Sequence, residues 1–127
     1  MLLQEIYVSF ETAKLLKEKG FAGENAMWYT PDGYISEEGI NDGIDPTADE
    51  IFKDLYPAPT QDMALRWLRE VHGIFNQPQH FWKANKYECY PYSIKNGKHL
   101  HDFHLGYHDT YEEACETAIK YCLTKVI

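Results

Sequence analysis

Four histidines lie within ten residues of this sequence, and their spacing raises the question of a metal site. They are His99, His101, His104 and His108. Imidazole nitrogens bind zinc, and a structural zinc site needs about four ligands that converge. In an extended strand, alternate residues point to opposite faces, so His99 and His101 would lie on one face and His104 and His108 on the other. We therefore expect structural or exposed histidines and no metal or cofactor site.

A second candidate site combines a thiol, an imidazole and a carboxylate. If Asn96-Gly97 forms a two-residue hairpin turn, Cys89 lies opposite His104, and Asp102 lies diagonal to that pair. A cysteine beside a base is the arrangement of a thiol nucleophile. However, no glycine-rich loop or helix N-terminus nearby would supply oxyanion donors. We therefore predict no catalytic residue. The alternative hypothesis is a small metal- or thiol-dependent enzyme that uses the His-rich strand 99–108.

The same turn fixes the pairing of the strands that carry these residues. A two-residue loop pairs Ile94 with His99, Tyr92 with His101, and Tyr90 with Phe103. The tyrosines and Ile94 then share the more apolar face. Pro91 cannot donate to a ladder, so this strand is predicted to be an edge strand or to be bulged at that residue.

The central of three predicted helices follows Pro57-Ala58-Pro59 and is delimited by Thr60 as N-cap and Gly73 as the C′ residue. Its apolar residues recur at helical spacing: Ala64, Trp67, Leu68 and Val71. This stripe predicts that Trp67 is buried between the helix and a sheet, with Leu68 and Val71 beside it.

The other two helices carry their own start signals. Ser9 is the expected N-cap of a first helix that ends at Gly20, and Thr110 with Glu113 forms a capping box that opens a helix through about Leu123. The apolar stripe of the last helix is Tyr111, Cys115, Ala118, Ile119 and Cys122. Between the first two helices, Pro31-Asp32-Gly33 predicts the turn of a short aromatic hairpin. The second half reads as helix, three strands, helix.

The negative charge of the chain is concentrated in one segment. The net charge is −8, and residues 37–50 carry six acidic side chains and no basic one. We predict an acidic loop there, without the residue spacing of a calcium loop. A nucleic-acid partner is disfavoured because a phosphate backbone requires a basic footprint. A mimic of DNA is disfavoured because the charge is confined to this loop.

Length and composition predict a single α+β domain over residues 1–127, with three helices packed on a small, mostly antiparallel β-sheet. The 127 residues fall within the usual size of one domain. No apolar run is long enough to span a membrane and no signal peptide is visible, so we expect no membrane partner. Three cysteines, an odd number, favour reduced thiols and a cytoplasmic location.

Four segments resemble a group of small phage- and prophage-encoded proteins of gut bacteria. They are Val8 to Phe21, Tyr56 to Gln61, Trp67 to Ile74, and Thr110 to Ile119. The central and closing segments also resemble the phage ABA sandwich type of domain, in which helices flank a small antiparallel sheet. The resemblance implies this fold and a phage context, with no catalytic residues to carry over. We therefore expect a non-enzymatic accessory protein that binds an unknown protein partner and forms a weak homodimer.

Overall fold

The computed structural model describes residues 6–22, 27–36, 55–100 and 105–127. The chain divides into two compact units, Met1–Thr60 and Gln61–Ile127. The predicted acidic loop at residues 37–50 lies outside the described residues, and the single-domain organisation stays a prediction. Within the described part of the chain, no helix is long and apolar enough to cross a membrane.

The described elements are three α-helices and seven short strands, with every strand pair antiparallel, which confirms the α+β prediction. The helices are α1 (Phe10–Glu18), α2 (Gln61–His72) and α3 (Tyr111–Tyr121), and a π-helical turn (Cys122–Val126) follows α3. The strands are β1 (Met27–Tyr29), β2 (Ile35–Ser36), β3 (Tyr56–Ala58), β4 (Ile74–Phe75), β5 (Gln79–Phe81), β6 (Lys86–Glu88) and β7 (Tyr92–Ser93). They form three ladders, β2-β1-β3, β4-β7 and β5-β6, where one sheet was expected.

The first unit packs α1 against the three-stranded ladder. The helix begins where expected, because the Ser9 hydroxyl accepts a hydrogen bond from the Thr12 amide at 3.2 Å. It ends before Gly20, whose φ of +94° suits glycine. The predicted hairpin is confirmed: β1 pairs with β2 across a turn in which Gly33 has a φ of +88°. Pro57 is tolerated in β3 because that strand lies at the edge of its ladder.

Helix α2 of the second unit buries a face that is rotated from the predicted one but keeps Ala64 and Leu68, which are buried as predicted. The buried residues are Gln61, Ala64, Leu65 and Leu68. Trp67 is half-buried and Val71 is 61% exposed, so the prediction that both lie in the core is wrong. At 100° per residue they lie roughly 110° and 70° from the centre of the buried stripe. Both stripes have helical spacing, and packing selected the one that contains Leu65.

Helix α3 starts as predicted and supplies much of the core of the second unit. The Thr110 hydroxyl accepts a hydrogen bond from the Glu113 amide at 3.1 Å. Its buried residues are Ala114, Cys115, Ala118 and Ile119, followed by Cys122 and Leu123 in the π-helical turn. Four of the five predicted stripe residues are therefore buried, and the fifth, Tyr111, is only half-buried.

The predicted three-strand arrangement of the second half is wrong in its register and its number of strands. Tyr92 pairs with His99, two residues away from the predicted partner His101. The type I′ turn that Asn-Gly favours needs positive φ at both central residues. Here Gly97 has a φ of +70°, whereas Asn96 does not have a positive φ. The Asn96 side chain instead accepts a hydrogen bond from the Lys98 amide at 2.9 Å, which produces a longer loop.

Pro91 accounts for the shortness of the strand before this loop. The predicted strand from Tyr87 to Ile94 is divided into β6 and β7, and β7 begins immediately after Pro91. A proline is compatible with the residue just outside a ladder because it lacks the amide donor. The expected edge or bulge at Pro91 is thus a break between two strands. The pairing of Tyr90 with Phe103 falls on residues 101–104, outside the described residues.

Candidate binding surfaces of the second unit

The four clustered histidines, which were weighed as a candidate metal site, lie only partly within the described residues. His101 and His104 lie outside the described residues, as does Asp102. His99 is exposed, and its ring is tilted against that of Tyr90 with centroids 5.7 Å apart. His108 is half-buried, and its Nε2 lies 3.4 Å from the Leu105 carbonyl oxygen. Among the described residues, no group of three His, Cys, Asp or Glu side chains is arranged to hold a metal ion.

Cys89, the predicted nucleophile candidate, is bonded to an amide in the protein interior. Its thiol donates a hydrogen bond to Asn76 Oδ1 at 2.7 Å, and Asn76 Nδ2 donates to Cys122 Sγ at 3.3 Å. Cys89 is 1% exposed and Asn76 is 2% exposed. We call Cys89, Asn76 and Cys122 the amide–thiol cluster. Its acceptor is a neutral amide, which cannot withdraw the thiol proton as a catalytic base would.

Burial keeps all three thiols protonated at neutral pH. Desolvation raises the pKa of Cys89, Cys115 and Cys122 from 9.0 to about 12. The nucleophilic form of cysteine is the thiolate, so these side chains are inert while they remain buried. All three are free thiols. The sequence offered no signal for this cluster, because the two thiol partners of Asn76 are 13 and 46 residues away in the chain.

An exposed aromatic group lies at the tip of the β5–β6 hairpin. Trp82 is 74% exposed, and Lys83 Nζ lies 5.8 Å from the centroid of its ring. The adjacent Phe81 stacks on Tyr107, with centroids 5.9 Å apart and an interplanar angle of 29°. Tyr107 is 52% exposed. Phe81, Trp82 and Tyr107 together form what we call the aromatic surface.

Local hydrogen bonds hold this surface in place. The hairpin turn closes through the Asn85 amide, which donates to the Trp82 carbonyl at 3.3 Å, and Asn85 adopts a φ of +50°. His80 Nε2 lies 3.0 Å from Asn85 Oδ1. Tyr87 and His108 exchange both of their backbone hydrogen bonds, at 2.8 and 2.9 Å, which brings the preceding residue Tyr107 to the hairpin. The rings are therefore presented on an ordered backbone.

A cleft of about 330 Å³ opens elsewhere on the same unit. Its lining residues come from α2, from the segment containing β4, and from the start of α3: Asp62, Leu65, Arg69, Phe75, Gln77 and Tyr111. Burial raises the pKa of Tyr111, and the nearby Cys115 and Asp62 raise it further, whereas a hydrogen bond with Gln77 lowers it. The net shift is upward, so the phenol remains protonated at neutral pH.

The two charged residues of the cleft have no ion-pair partner among the residues that the structure describes. In the described part of the chain, neither the Asp62 carboxylate nor the Arg69 guanidinium forms a salt bridge. On the same helix, Arg66 pairs with Glu70 at 3.1 Å. The cleft therefore presents one available cation and one available anion between aromatic and amide walls. The sequence offered no signal for it, because Asp62 and Tyr111 are far apart in the chain.

Comparisons of the chain with known protein families, with curated proteins and with solved structures each find no match. The resemblance to phage proteins and to the ABA sandwich type of domain stays a prediction.

Proposed function

We propose that this protein acts by binding another protein through the aromatic surface formed by Phe81, Trp82 and Tyr107, as a non-enzymatic accessory protein of a phage or prophage. The observation that carries the proposal is the 74% exposure of Trp82 at the tip of an ordered hairpin. Tryptophan is enriched among the residues that dominate binding energy at protein interfaces. An exposed indole of this kind contributes little to the stability of its own fold, so a partner that covers it gains most of the apolar burial.

The chemistry of the surface indicates what the partner must provide. The Trp82 indole requires an apolar pocket, and the stacked Phe81–Tyr107 pair requires a flat apolar face beside that pocket. Lys83 adds one positive charge next to the indole. A partner with an apolar pocket and an acidic rim would complement these features.

The test compares two variants that each remove one exposed apolar side chain. Trp82→Ala removes the indole, and Val71→Ala removes a 61% exposed side chain on α2 as the matched control. Both should keep the parent's thermal midpoint. We expect a specific partner recovered from bacterial lysate with the parent and with Val71→Ala to be lost with Trp82→Ala. Equal recovery with all three proteins would refute a role for the aromatic surface.

A weak homodimer through the same aromatic residues is part of the proposal. The partner surface would then be a second copy of the chain, as the exposed rings of the hairpin can pack on one another. Light scattering over a range of protein concentrations should show the parent's average mass rising while that of Trp82→Ala stays at the monomer value. A parent that remains a clean monomer at high concentration would contradict self-association and leave a different protein as the partner.

A further inference from the structure

We infer that the cleft of the second unit binds a small zwitterion of dipeptide size: a free amine at one end, a carboxylate at the other and an aromatic side chain between them. This inference goes beyond the proposed function, because none of the cleft residues belongs to the aromatic surface. It depends on three properties of the cleft, namely its charges, its walls and its size.

The cleft has one negative and one positive side chain, which lie apart and can each pair with a charged ligand. Asp62 and Arg69 lie seven residues apart on α2, which places their Cα atoms about 10 Å apart along the helix axis. The helix dipole accounts for an acid in the first turn and a base in the last turn. The dipole does not explain why Asp62 and Arg69 line the same cleft while neither has an ion-pair partner among the described residues. A ligand with an amine at one end and a carboxylate at the other would pair with Asp62 and Arg69 at the same time.

The walls between the charges suit an aromatic ring and a peptide group. Phe75 and Tyr111 supply two rings, and Leu65 supplies an apolar floor. Phe75 is held by stacking on Tyr92, with centroids 5.1 Å apart, and Tyr111 is held edge-on to Tyr87 at 6.2 Å. Gln77 lines the cleft with an amide, which can both donate to and accept from a peptide bond. The ring positions are thus fixed before a ligand arrives.

The size of the cleft favours a small molecule over a folded partner. Its volume of about 330 Å³ is at the low end of the range of small-molecule pockets. An Arg guanidinium recognises a carboxylate with two parallel hydrogen bonds, which gives orientation as well as affinity. With Arg69 binding the carboxylate, the amine lies towards Asp62 and the aromatic side chain towards the rings.

The first experiment varies the ligand on the unaltered protein. The probe is glycyl-phenylalanine, and its binding is measured by isothermal titration calorimetry. Two analogues each remove one charge: the N-acetylated peptide lacks the amine, and the C-terminal amide lacks the carboxylate. We expect each analogue to bind about tenfold more weakly than the free dipeptide, because each loses one charge-assisted contact. Glycyl-leucine should also bind more weakly, because it lacks the ring.

The second experiment varies the protein. Arg69→Gln should weaken binding of the free dipeptide about tenfold and abolish its advantage over the C-terminal amide. Asp62→Asn should abolish its advantage over the N-acetylated peptide. Arg66→Gln is the matched control, since Arg66 lies on the same helix, pairs with Glu70 and does not line the cleft. It should bind like the parent.

Two results would overturn the inference. One is the absence of detectable binding of glycyl-phenylalanine to the parent at millimolar concentration, which the ligand series decides even if a variant fails to fold. The other is equal weakening by Arg69→Gln and Arg66→Gln, which would indicate general electrostatics in place of a site. Neither result bears on the aromatic surface, so failure here is distinguishable from failure of the proposed function.

Discussion

The amide–thiol cluster and the cleft are two polar arrangements of the second unit with opposite properties. In the cluster, Cys89 and Cys122 are buried and hydrogen-bonded through one amide. In the cleft, Asp62 and Arg69 are exposed and have no ion-pair partner among the described residues. By residue type alone, cysteine is the more reactive side chain, and an exposed charge on a helix is ordinary.

The difference shows that the surroundings of a side chain decide its use more than its type does. A buried polar group must be paired within the protein, and that pairing consumes its capacity to bind a ligand. An exposed charge is hydrated, and a ligand of opposite charge can displace that water because it replaces the hydrogen bonds that the water made. The interior cluster therefore stabilises the fold, and the cleft is available for recognition.

The largest expected effect tests the structural role of the cluster. Asn76→Ala removes the amide that pairs both thiols and leaves a small cavity in a site that is 2% exposed. We expect the free energy of unfolding to fall by about 2–4 kcal/mol, from lost packing and lost hydrogen bonds. Urea denaturation at neutral pH measures this change.

Gln79→Ala is the control for that experiment, since Gln79 is exposed on β5. Its effect should stay within about 0.5 kcal/mol. If Asn76→Ala is no more damaging than Gln79→Ala, the buried amide is dispensable, and the contrast between cluster and cleft does not hold.

The sequence predicted the features that depend on neighbouring residues. The caps at Ser9 and Thr110 and the stop at Gly20 were all found, because a cap is decided within one helical turn. The β1–β2 hairpin was found for the same reason. These features sufficed for the fold class, since helix starts and turns largely determine the order of elements.

Features that depend on distant residues could not be predicted. Two stripes of α2 satisfy helical spacing, and only packing against α3 and β4 chooses Leu65 over Val71. The hairpin register depends on whether Asn96 uses its backbone or its side chain in the turn, and the side chain was used. The cleft requires residues from three separated segments to meet. Spacing rules apply within one element, so they cannot predict that distant segments come together.

The next largest effect should be the loss of stability at alkaline pH that the thiols of the cluster cause. The folded thiols have their pKa raised from 9.0 to about 12, so the unfolded chain loses these protons first. The stabilisation is fully present below pH 9 and is lost as the pH rises towards 12. We expect the free energy of unfolding to fall between pH 8 and pH 10.5, and Cys122→Ala to reduce that fall. Urea denaturation at the two pH values measures both.

Leu68→Ala is the matched control for the alkaline measurement. It is fully buried like Cys122 and destabilises the core without removing a titratable group. It should keep the parent's pH dependence at a lower overall stability. A Cys122→Ala protein with the parent's pH dependence would indicate that the thiol reaches water in the folded state.

The smallest expected effect belongs to a pair that is partnered yet exposed, and so lies between the two extremes. Lys86 donates a hydrogen bond to Asp109, and that bond lowers the pKa of Asp109 below its ordinary value of 3.8. The two side chains are 41% and 74% exposed, so water and salt screen the attraction. Because the folded pKa is lowered, the stabilisation is present above pH 3.8 and is lost as the pH falls through the folded value.

A double-mutant cycle of Lys86→Gln and Asp109→Asn should give a small favourable coupling at pH 7 that disappears at pH 2 and in 1 M salt. A coupling as large as the Asn76 effect would mean that exposure does not weaken a partnered charge, and solvation would no longer separate the cluster from the cleft.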